Sequence, residues 1–311
     1  MRTICLNNGP FKLQNSVATI GVFDGVHAGH QLLINMVRDE ARSHGLCSMV
    51  ITFDRQPREV LDASFHPQVL TTLEEKETII RNLGIDILVV LPFTKELAAL
   101  SARDFMLQVL RQQLNVQTLI TGYDNRFGKN RSEGFEDYVR YGKEMGMQVL
   151  RGEAELMEDG SKAVSSSVIR ELLAVEGRVD MMPQCLTRYY QLSGVVKPGE
   201  HIGHQLGFPT ANLEPLCANK LIPAPGVYAV WATLEDGKRH AAMMNIGTRP
   251  TFEGKRQTLE VNILDFEGNL YGQQVTIAFV ARLRKEQRFE SPEALVAQLN
   301  EDKEKVRKIL V

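Results

Sequence analysis

The sequence predicts an α/β protein in two parts: a parallel sheet covered by helices, then a small antiparallel β-barrel with a terminal helix. In the first half, apolar strand-like runs alternate with helical patterns, as in parallel sheets. From residue 189 onward, strands are separated by tight turns, which is typical of antiparallel barrels. The chain has 311 residues, a length that suits about two domains. We expect the domains to be residues 1–183 and 184–311.

The first half alternates strands and helices from Ala18 to Leu150. The predicted strands are Ala18–Phe23, Ser48–Phe53, Ile85–Leu91, Thr118–Thr121 and Gln148–Leu150. The predicted helices are Gln31–Ser43, Leu73–Leu83, Ala102–Leu114 and Phe135–Glu144. Ligands bind such sheets at the carboxyl ends of the strands. Polar clusters follow three of these strands, so we expect a binding site at that edge.

The stretch from Ile20 to His30 joins the first predicted strand to the first predicted helix. Gly25 and Gly29 permit tight turns and close backbone approach. Amides at a helix start attract phosphate, and His27 and His30 can donate hydrogen bonds to it there. The His-x-x-His spacing also fits a metal pair, but a zinc site needs a third ligand. A third interpretation is two partly buried polar side chains in a turn.

Two later segments of the first half carry further candidates for phosphate binding. The glycine-rich loop from Gly122 to Gly134 holds three cations, Arg126, Lys129 and Arg131. The alternative is an ordinary solvated loop. At Ser165–Arg170, a serine is predicted to cap a helix, with Arg170 in its first turn, where the helix dipole disfavours a cation. A bound anion would reverse that penalty; the alternative is that Arg170 points to water.

The second half alternates short strands with turns that contain glycine. The predicted strands are Tyr190–Val195, Gly226–Thr233, Arg239–Asn245, Thr258–Leu264 and Gln274–Arg282. A final helix is predicted over Ser291–Leu310, with Pro292 in its first turn. Its apolar positions Leu295, Leu299 and Val306 indicate a face that packs on the barrel.

Two features of the second half indicate chemistry. Thr210 and Asn212 face the same way on an extended segment, and their neutral oxygens suit Mg²⁺ that bridges nucleotide phosphates. Glu260 lies on the polar face of an alternating strand and is a candidate general base. The alternatives are a turn with a side-chain hydrogen bond and a solvent-facing acid.

Composition and charge exclude several classes of function. The net charge is −2, with acids and bases interspersed, whereas a general nucleic-acid binder is normally basic. The four cysteines show no metal-ligand spacing and are typical of reduced thiols. No signal peptide is evident, and the most apolar window, Ile85–Phe93, is too short to span a bilayer. We therefore expect a cytoplasmic protein with no membrane or nucleic-acid partner; the sequence leaves the oligomeric state open.

Taken together and in this order, the motifs closely resemble the bacterial bifunctional riboflavin kinase/FAD synthetase family over nearly the whole chain. The resemblance rests on Gly21–His30, Thr52–Asp54 with Pro57, Ile120–Gly128, Ser165–Arg170, Gly207–Asn212, Asn245–Phe252, Glu260 with Leu264–Phe266, Tyr271–Gly272, and Leu283–Arg284 with Glu286 and Phe289. It implies a Rossmann-like nucleotidylyl-transferase domain followed by a flattened barrel. It also implies two reactions, phosphorylation of riboflavin by ATP to FMN and adenylylation of FMN by ATP to FAD and pyrophosphate.

The resemblance also implies roles for particular residues. Glu260 would deprotonate the ribityl hydroxyl, Thr210 and Asn212 would hold Mg²⁺ and phosphates, and His27 and His30 would stabilise the transferring α-phosphate. The remaining implied contacts to ATP or flavin are Gly21, Phe23, Asp24, Gly29, Asp124, Arg126, Ser165, Ser166, Arg170, Gly207 and Pro209.

The chain departs from the family pattern at a few positions, none of which we assign to chemistry. Ser167 replaces a frequent Thr, Asn125 a frequent aromatic residue, His204 a frequent Arg, and Asn262 a frequent His. Two alternatives stay open at this point. One is an enzyme with a single working half, and the other is a flavin- or nucleotide-binding regulator on the same scaffold.

Overall fold

The structure is a computed structural model that describes residues 1–6, 13–157, 160, 162–198, 208–251 and 254–311. The chain divides into two compact units, Met1–Ser166 and Ser167–Val311. The two-part organisation predicted from the sequence is therefore confirmed, while the predicted boundary at residues 183 and 184 stays a prediction.

The first unit is built on a six-stranded parallel sheet. Its strands are β1 (Arg2–Cys5), β2 (Ser16–Ile20), β3 (Cys47–Phe53), β4 (Ile87–Leu91), β5 (Val116–Thr121) and β6 (Gln148–Arg151). The order is β1-β4-β3-β2-β5-β6, and every pair is parallel. The chain reverses its direction of travel across the sheet between β2 and β5, so the crevice at their carboxyl ends is the expected ligand site. This confirms the predicted sheet and adds β1, which the sequence analysis did not predict.

Helices cover both faces of this sheet. They are α1 (Ala28–His44), α2 (Pro57–Leu61), α3 (Leu73–Asn82), α4 (Lys95–Ala99), α5 (Ala102–Phe105), which continues as a π-helix over Met106–Gln113, and α6 (Phe135–Met145). Alternate residues of a strand face opposite sides, and two apolar cores result. Val17 and Val50 pack under α1, whereas Ala18 and Met49 pack on the face of α5.

The second unit is a closed antiparallel barrel. Its strands are β7 (Tyr190–Lys197), β8 (Ala211–Pro215), β9 (Gly226–Thr233), β10 (Arg239–Thr251), β11 (Gly254–Ile263) and β12 (Gln274–Arg284). They follow the order β10-β11-β8-β7-β12-β9, and β9 pairs with β10 to close the barrel. The predicted antiparallel barrel is confirmed; β8 is the strand that the sequence analysis missed.

Three helices accompany the described part of this barrel. They are α7 (Ser166–Glu171), which continues as a π-helix over Leu172–Glu176, α8 (Met182–Leu186) and α9 (Pro292–Leu310). α9 begins one residue after the predicted Ser291, which caps the helix by accepting from the Ala294 amide. Val306 is fully buried against barrel residues, including Val227 and Met243, and Leu299 packs against the same cluster. The predicted packing face is thus confirmed at Val306 and Leu299, whereas Leu295 lines a cavity.

A buried ion pair attaches α9 to β12. The Arg284 Nε donates to Asp302 Oδ2 at 2.8 Å, and the Asp302 side chain is 0% exposed. Gln298 Nε2 donates to the other carboxylate oxygen at 3.1 Å. A buried charge is tolerated when its hydrogen bonds are satisfied, so this pair fixes the position of Arg284 next to the barrel interior.

All four cysteines are free thiols. Among the helices that the structure describes, none combines the length and the apolar character that a bilayer crossing requires.

The loop after β5 supplies a first testable prediction. Gly128 has a φ of +87°, and an added Cβ would lie 2.5 Å from the backbone nitrogen of Ala102. We expect Gly128→Ala to lower the free energy of unfolding by about 2–3 kcal/mol, because it adds both backbone strain and a clash with α5. Chemical denaturation followed by circular dichroism measures this loss.

Gly45→Ala is the matched control. Gly45 also has a positive φ, +64°, but an added Cβ would meet nothing within 4 Å. Its loss should be only about 1 kcal/mol, and equal losses in the two variants would contradict the role of the Ala102 contact.

Candidate active sites

The turn between β2 and α1 carries strained backbone. β2 ends at Ile20, not at the predicted Phe23, because Phe23 has a φ of +49° and cannot continue a strand. Val26 has a φ of +39° and Gly25 a φ of +84°. Positive φ is rare for a β-branched residue such as valine, so the surrounding structure must hold this conformation.

Asp24 and the segment after residue 69 hold the turn. Asp24 Oδ1 accepts from the backbone amides of Leu70 at 2.9 Å and Thr71 at 3.1 Å. The Gly25 amide in turn donates to Thr71 Oγ1 at 2.9 Å. Asp24 is buried, so its carboxylate supports the turn from behind. A direct contact from Asp24 to a ligand stays a prediction.

Lys76, in the first turn of α3, is a second support that sequence reasoning missed. Its side chain is buried, and Nζ donates to the Val22 carbonyl at 2.7 Å and to Thr52 Oγ1 at 3.2 Å. Burial lowers the pKa of Lys76, and the nearby Asp24 carboxylate raises it in part. The resulting pKa is about 8. In the sequence, Lys76 stands among glutamates on a helix and is indistinguishable from a surface lysine.

The two histidines stand at the start of α1. The helix begins at Ala28, three residues before the predicted Gln31, so His27 is its N-cap and His30 lies in its first turn. His27 Nδ1 accepts from the His30 amide at 3.3 Å. A neutral His27 must therefore carry its proton on Nε2. The two rings are stacked, with centroids 3.5 Å apart.

His30 is held as a neutral imidazole. Burial lowers its pKa well below the usual value, and positive charge on His27 and Lys76 lowers it further. Its Nδ1 is buried without a hydrogen-bond partner. The edge of the buried Phe23 ring packs against the His30 ring, with centroids 5.1 Å apart. Phe23 therefore supports His30, and a contact from Phe23 to a ligand stays a prediction.

Other predicted residues of the first unit gather around this turn. Ser166 Oγ donates to the Asp24 carbonyl at 2.8 Å, which brings the Ser165–Ser166 segment to the histidine turn. Gly21 is bonded to β3 through its amide, and Gly29 lies in the first turn of α1 beside the His27 ring. These residues form one cluster at the carboxyl end of β2.

The loop after β5 reaches the same strand end. Asn125 Nδ2 donates to the Ile20 carbonyl at 2.6 Å, so the residue that replaces a frequent aromatic ties the two sides of the crevice together. Phe127 stacks on Tyr138, with centroids 4.2 Å apart, and belongs to the core. Asp124 and Arg126 are exposed, so their ligand contacts stay predictions.

Arg170 does not lie where the sequence analysis placed it. α7 begins at Ser166, so Arg170 is in the second turn and not in the first. The helix dipole acts mainly within the first turn, so its unfavourable effect on a cation is weaker at Arg170 than the predicted first-turn position implies. Arg170 belongs to the second unit, and its contact with phosphate stays a prediction.

The second unit encloses a cavity of about 320 Å³ between the barrel and α9. Such a volume suits a small-molecule site, which typically measures about 300–1,000 Å³. Glu260 and Thr210 both line it, together with apolar side chains such as Phe208, Val227 and Phe289.

Glu260 faces two amide side chains across the sheet. It pairs with Asn212 on β8 and with Asn245 on β10. Residues directly opposite in an antiparallel pair project to the same face, so a carboxylate and two neutral oxygens share this side of the sheet. Asn212 is the second residue of β8, and Thr210 immediately precedes the strand.

Asn262 positions the segment that leads to Thr210. Its Nδ2 donates to the Pro209 carbonyl at 2.7 Å, so the amide that replaces a frequent histidine has a structural use. Gly207 and His204 lie outside the described residues, as does Phe252 of the family motif.

Two charged residues of the cavity were noted in the sequence only as motif members. Arg284 and Glu286 both line it. Thr248 Oγ1 donates to Glu286 Oε2 at 3.3 Å, and Arg284 is held by Asp302 as described above. The burial of Asp302, deep in a helix rich in charged residues, left no signal in the sequence.

Comparison with known protein families gives one match for each half of the chain. A family model described as FAD synthetase matches residues 10–168, and one described as riboflavin kinase matches residues 186–310. The histidine turn therefore lies in the first match, and the Glu260 cavity lies in the second.

Curated relatives match over almost the whole chain. The bifunctional riboflavin kinase/FMN adenylyltransferase of Escherichia coli is 36% identical, over 93% of this chain and 91% of the relative. The enzyme of the same name from Bacillus subtilis is 35% identical, over 93% and 90%. A solved structure titled macrolide-efflux protein, from Streptococcus pneumoniae, is 30% identical, with a TM-score of 0.90 over 99% of each chain.

These matches assign both enzymatic units, and they agree with the resemblance predicted from the motifs. The chain carries an FMN adenylyltransferase unit followed by a riboflavin kinase unit. It belongs to the bifunctional riboflavin kinase/FMN adenylyltransferase family.

Proposed function

We propose that the Glu260 cavity phosphorylates riboflavin and that the histidine turn adenylylates the FMN produced. What carries this proposal is that each unit presents the residue types that its own reaction needs. The attacking group of riboflavin is a neutral hydroxyl, which needs a base, and Glu260 is a carboxylate in a cavity. The attacking group of FMN is already an anion, and the first unit offers imidazoles and helix amides to receive phosphates.

In the kinase site, Glu260 takes the proton of the ribityl hydroxyl as its oxygen attacks the γ-phosphate of ATP. A positioned general base contributes about 10²–10⁴-fold to such a step. Asn245 and Asn212 lie on the same face as Glu260 and can orient the hydroxyl and the phosphates. The apolar wall of the cavity suits the ring system of the flavin.

The donor set around Thr210 fits Mg²⁺. Within the residues that the structure describes, no group of three or more His, Cys, Asp or Glu side chains could hold a metal ion. Thr210 and Asn212 instead offer neutral oxygens, which Mg²⁺ accepts when phosphates complete its shell. Bound there, Mg²⁺ would neutralise charge on the ATP phosphates. Pro209 would shape the backbone beside this ion, and Gly207 stays a sequence-based candidate for binding ATP or flavin.

In the transferase site, the Nε2 edge of His27 and the ring of His30 stabilise the α-phosphate during transfer. Ser165, Ser166 and Arg170 hold the remaining ATP phosphates, and Gly21 and Gly29 leave room for the nucleotide. Asp124 and Arg126 contact ATP or FMN from the loop after β5. Positioning two anions for in-line transfer needs no general base.

The setting of these reactions follows from the sequence. We place the boundary between the two enzymatic domains at residues 183 and 184. We place the enzyme in the cytoplasm, with ATP, riboflavin and FMN as its partners and without a nucleic-acid partner. Free thiols suit that compartment.

Separate sites predict separable losses. Glu260→Gln should lower riboflavin phosphorylation about 1,000-fold, because the base is lost, and should leave adenylylation of added FMN unchanged. His30→Ala should lower adenylylation about 100-fold and spare the kinase. Chromatography of riboflavin, FMN and FAD after incubation with ATP and Mg²⁺ measures both reactions.

Two variants serve as controls for this experiment. Glu267 is exposed in a barrel turn and His44 is exposed at the end of α1, so Glu267→Gln and His44→Ala should leave both reactions intact. If Glu260→Gln or His30→Ala reduced both reactions equally, the assignment of separate sites would be wrong.

The metal assignment makes a further prediction. Thr210→Val keeps the size of the side chain but removes its oxygen, so the Mg²⁺ concentration for half-maximal kinase activity should rise about tenfold. The Mg²⁺ dependence of adenylylation should not move. Thr233→Val, on β9 outside the cavity lining, is the control, and an unchanged kinase titration for Thr210→Val would exclude Thr210 as a ligand.

A further inference from the structure

Lys76 is an unusual support for a turn, because its ammonium group is buried and bonded to neutral oxygens. The Val22 carbonyl and the Thr52 hydroxyl accept from Nζ at 2.7 and 3.2 Å. The opposite charge that acts on it is Asp24, whose carboxylate already accepts from the amides of Leu70 and Thr71. Buried lysines are rarely left without a dedicated carboxylate, so this arrangement requires an explanation.

The burial of Lys76 opposes folding at neutral pH. Its pKa of about 8 lies below the ordinary value of 10.5, so the unfolded chain binds this proton more tightly than the folded chain. The penalty is therefore full below pH 8 and fades as the pH rises from 8 to 10.5. A charge that is kept in spite of such a penalty, beside a candidate active site, indicates a functional use.

Lys76 acts on the histidine turn in two ways. Its bond to the Val22 carbonyl fixes the residue just before Phe23, where the backbone enters its positive-φ conformation. Its charge lies close enough to His30 to oppose protonation of that ring, as His27 does. Asp24, His27, His30 and Lys76 are ionisable groups of the turn and its support, and Glu155 packs beside Gly29. With His30 neutral, Lys76 carries positive charge behind the turn, and the Asp24 carboxylate acts on it with the opposite charge.

We propose that Lys76 is a positioning residue for adenylyl transfer, whose buried ammonium group fixes the turn that carries His27 and His30 and supplies the positive charge behind the pocket for the ATP phosphates. This inference rests on the proposed function of the histidine turn. It gives α3 a role in the reaction, although none of the family motifs named above includes a residue of α3.

Lys76→Met tests the proposal, because methionine fills the same space without charge or donor. We expect kcat/KM for ATP in adenylylation to fall about 30-fold, by loss of both positioning and charge, with KM for FMN little changed. Riboflavin phosphorylation by the same protein should stay unchanged. The midpoint of thermal unfolding at pH 7 should be equal to or above that of the wild type, since the buried charge is gone.

The pH profile separates charge from shape. In the wild type, kcat/KM for adenylylation should decline as the pH rises through about 8, where Lys76 loses its proton. That alkaline limb should be absent in Lys76→Met. Lys76→Gln keeps a hydrogen-bond donor without charge and should also be impaired. Lys143→Met removes an exposed lysine on α6 and should behave as the wild type.

Several outcomes would overturn the proposal. Adenylylation by a folded Lys76→Met within about threefold of the wild type would do so. A lowered unfolding midpoint of Lys76→Met together with an unaltered pH profile would also do so, because a purely structural lysine would give that result. Full activity of Lys76→Gln would refute the role of the charge. If both variants fail to fold, the wild-type profile decides, and a profile without a limb near pH 8 refutes the proposal. A wild-type protein that forms no FAD would instead refute the function of the turn itself.

Discussion

The first unit depends on a turn that its own residues do not favour. Phe23 and Val26 adopt positive φ, which costs roughly 1–3 kcal/mol for each residue that is held in such a conformation. The residues around Leu70–Lys76 offset this cost through the Asp24 carboxylate and the Val22 carbonyl. The strain has a direct consequence for the site, because it ends β2 early and lets α1 start at Ala28, directly after His27. The two imidazoles are thereby placed at the N-cap and in the first turn of a helix.

How far the sequence predicts this arrangement depends on the range of the interactions involved. The alternation of apolar runs predicts the sheet and the barrel, because each strand carries its own periodic pattern. The turn is predicted in place but not in shape, since the positive φ of Phe23 and Val26 depends on contacts some 46 residues away. Lys76 and Asp302 are missed for the same reason. Their burial follows from tertiary packing, and each sits in a helical segment whose charged neighbours resemble a solvated face.

The strands that the sequence did not reveal are also informative. β1 is an edge strand of four residues, and only one of them, Ile4, is buried, so it has almost no pattern to detect. β8 pairs with β11 through only two residues, yet one of them is Asn212, opposite Glu260. A short strand with weak periodicity thus places a predicted ligand residue directly across from the predicted base.

The two units handle buried cations in opposite ways, and the chemistry of their acceptors explains the difference. In the barrel, Arg284 lines the cavity but is neutralised by the fully buried Asp302. A free guanidinium there would stabilise a nearby carboxylate and make the proposed base, Glu260, weaker toward a neutral hydroxyl. In the first unit, Lys76 donates to neutral oxygens, beside a His30 imidazole that stays neutral. Adenylyl transfer brings two anions together, so in the role proposed for Lys76 a cation that is bonded to neutral oxygens would lower their repulsion. If the two sites act as proposed, the acceptor, a hydroxyl in one unit and a phosphate in the other, accounts for the difference between the two cations.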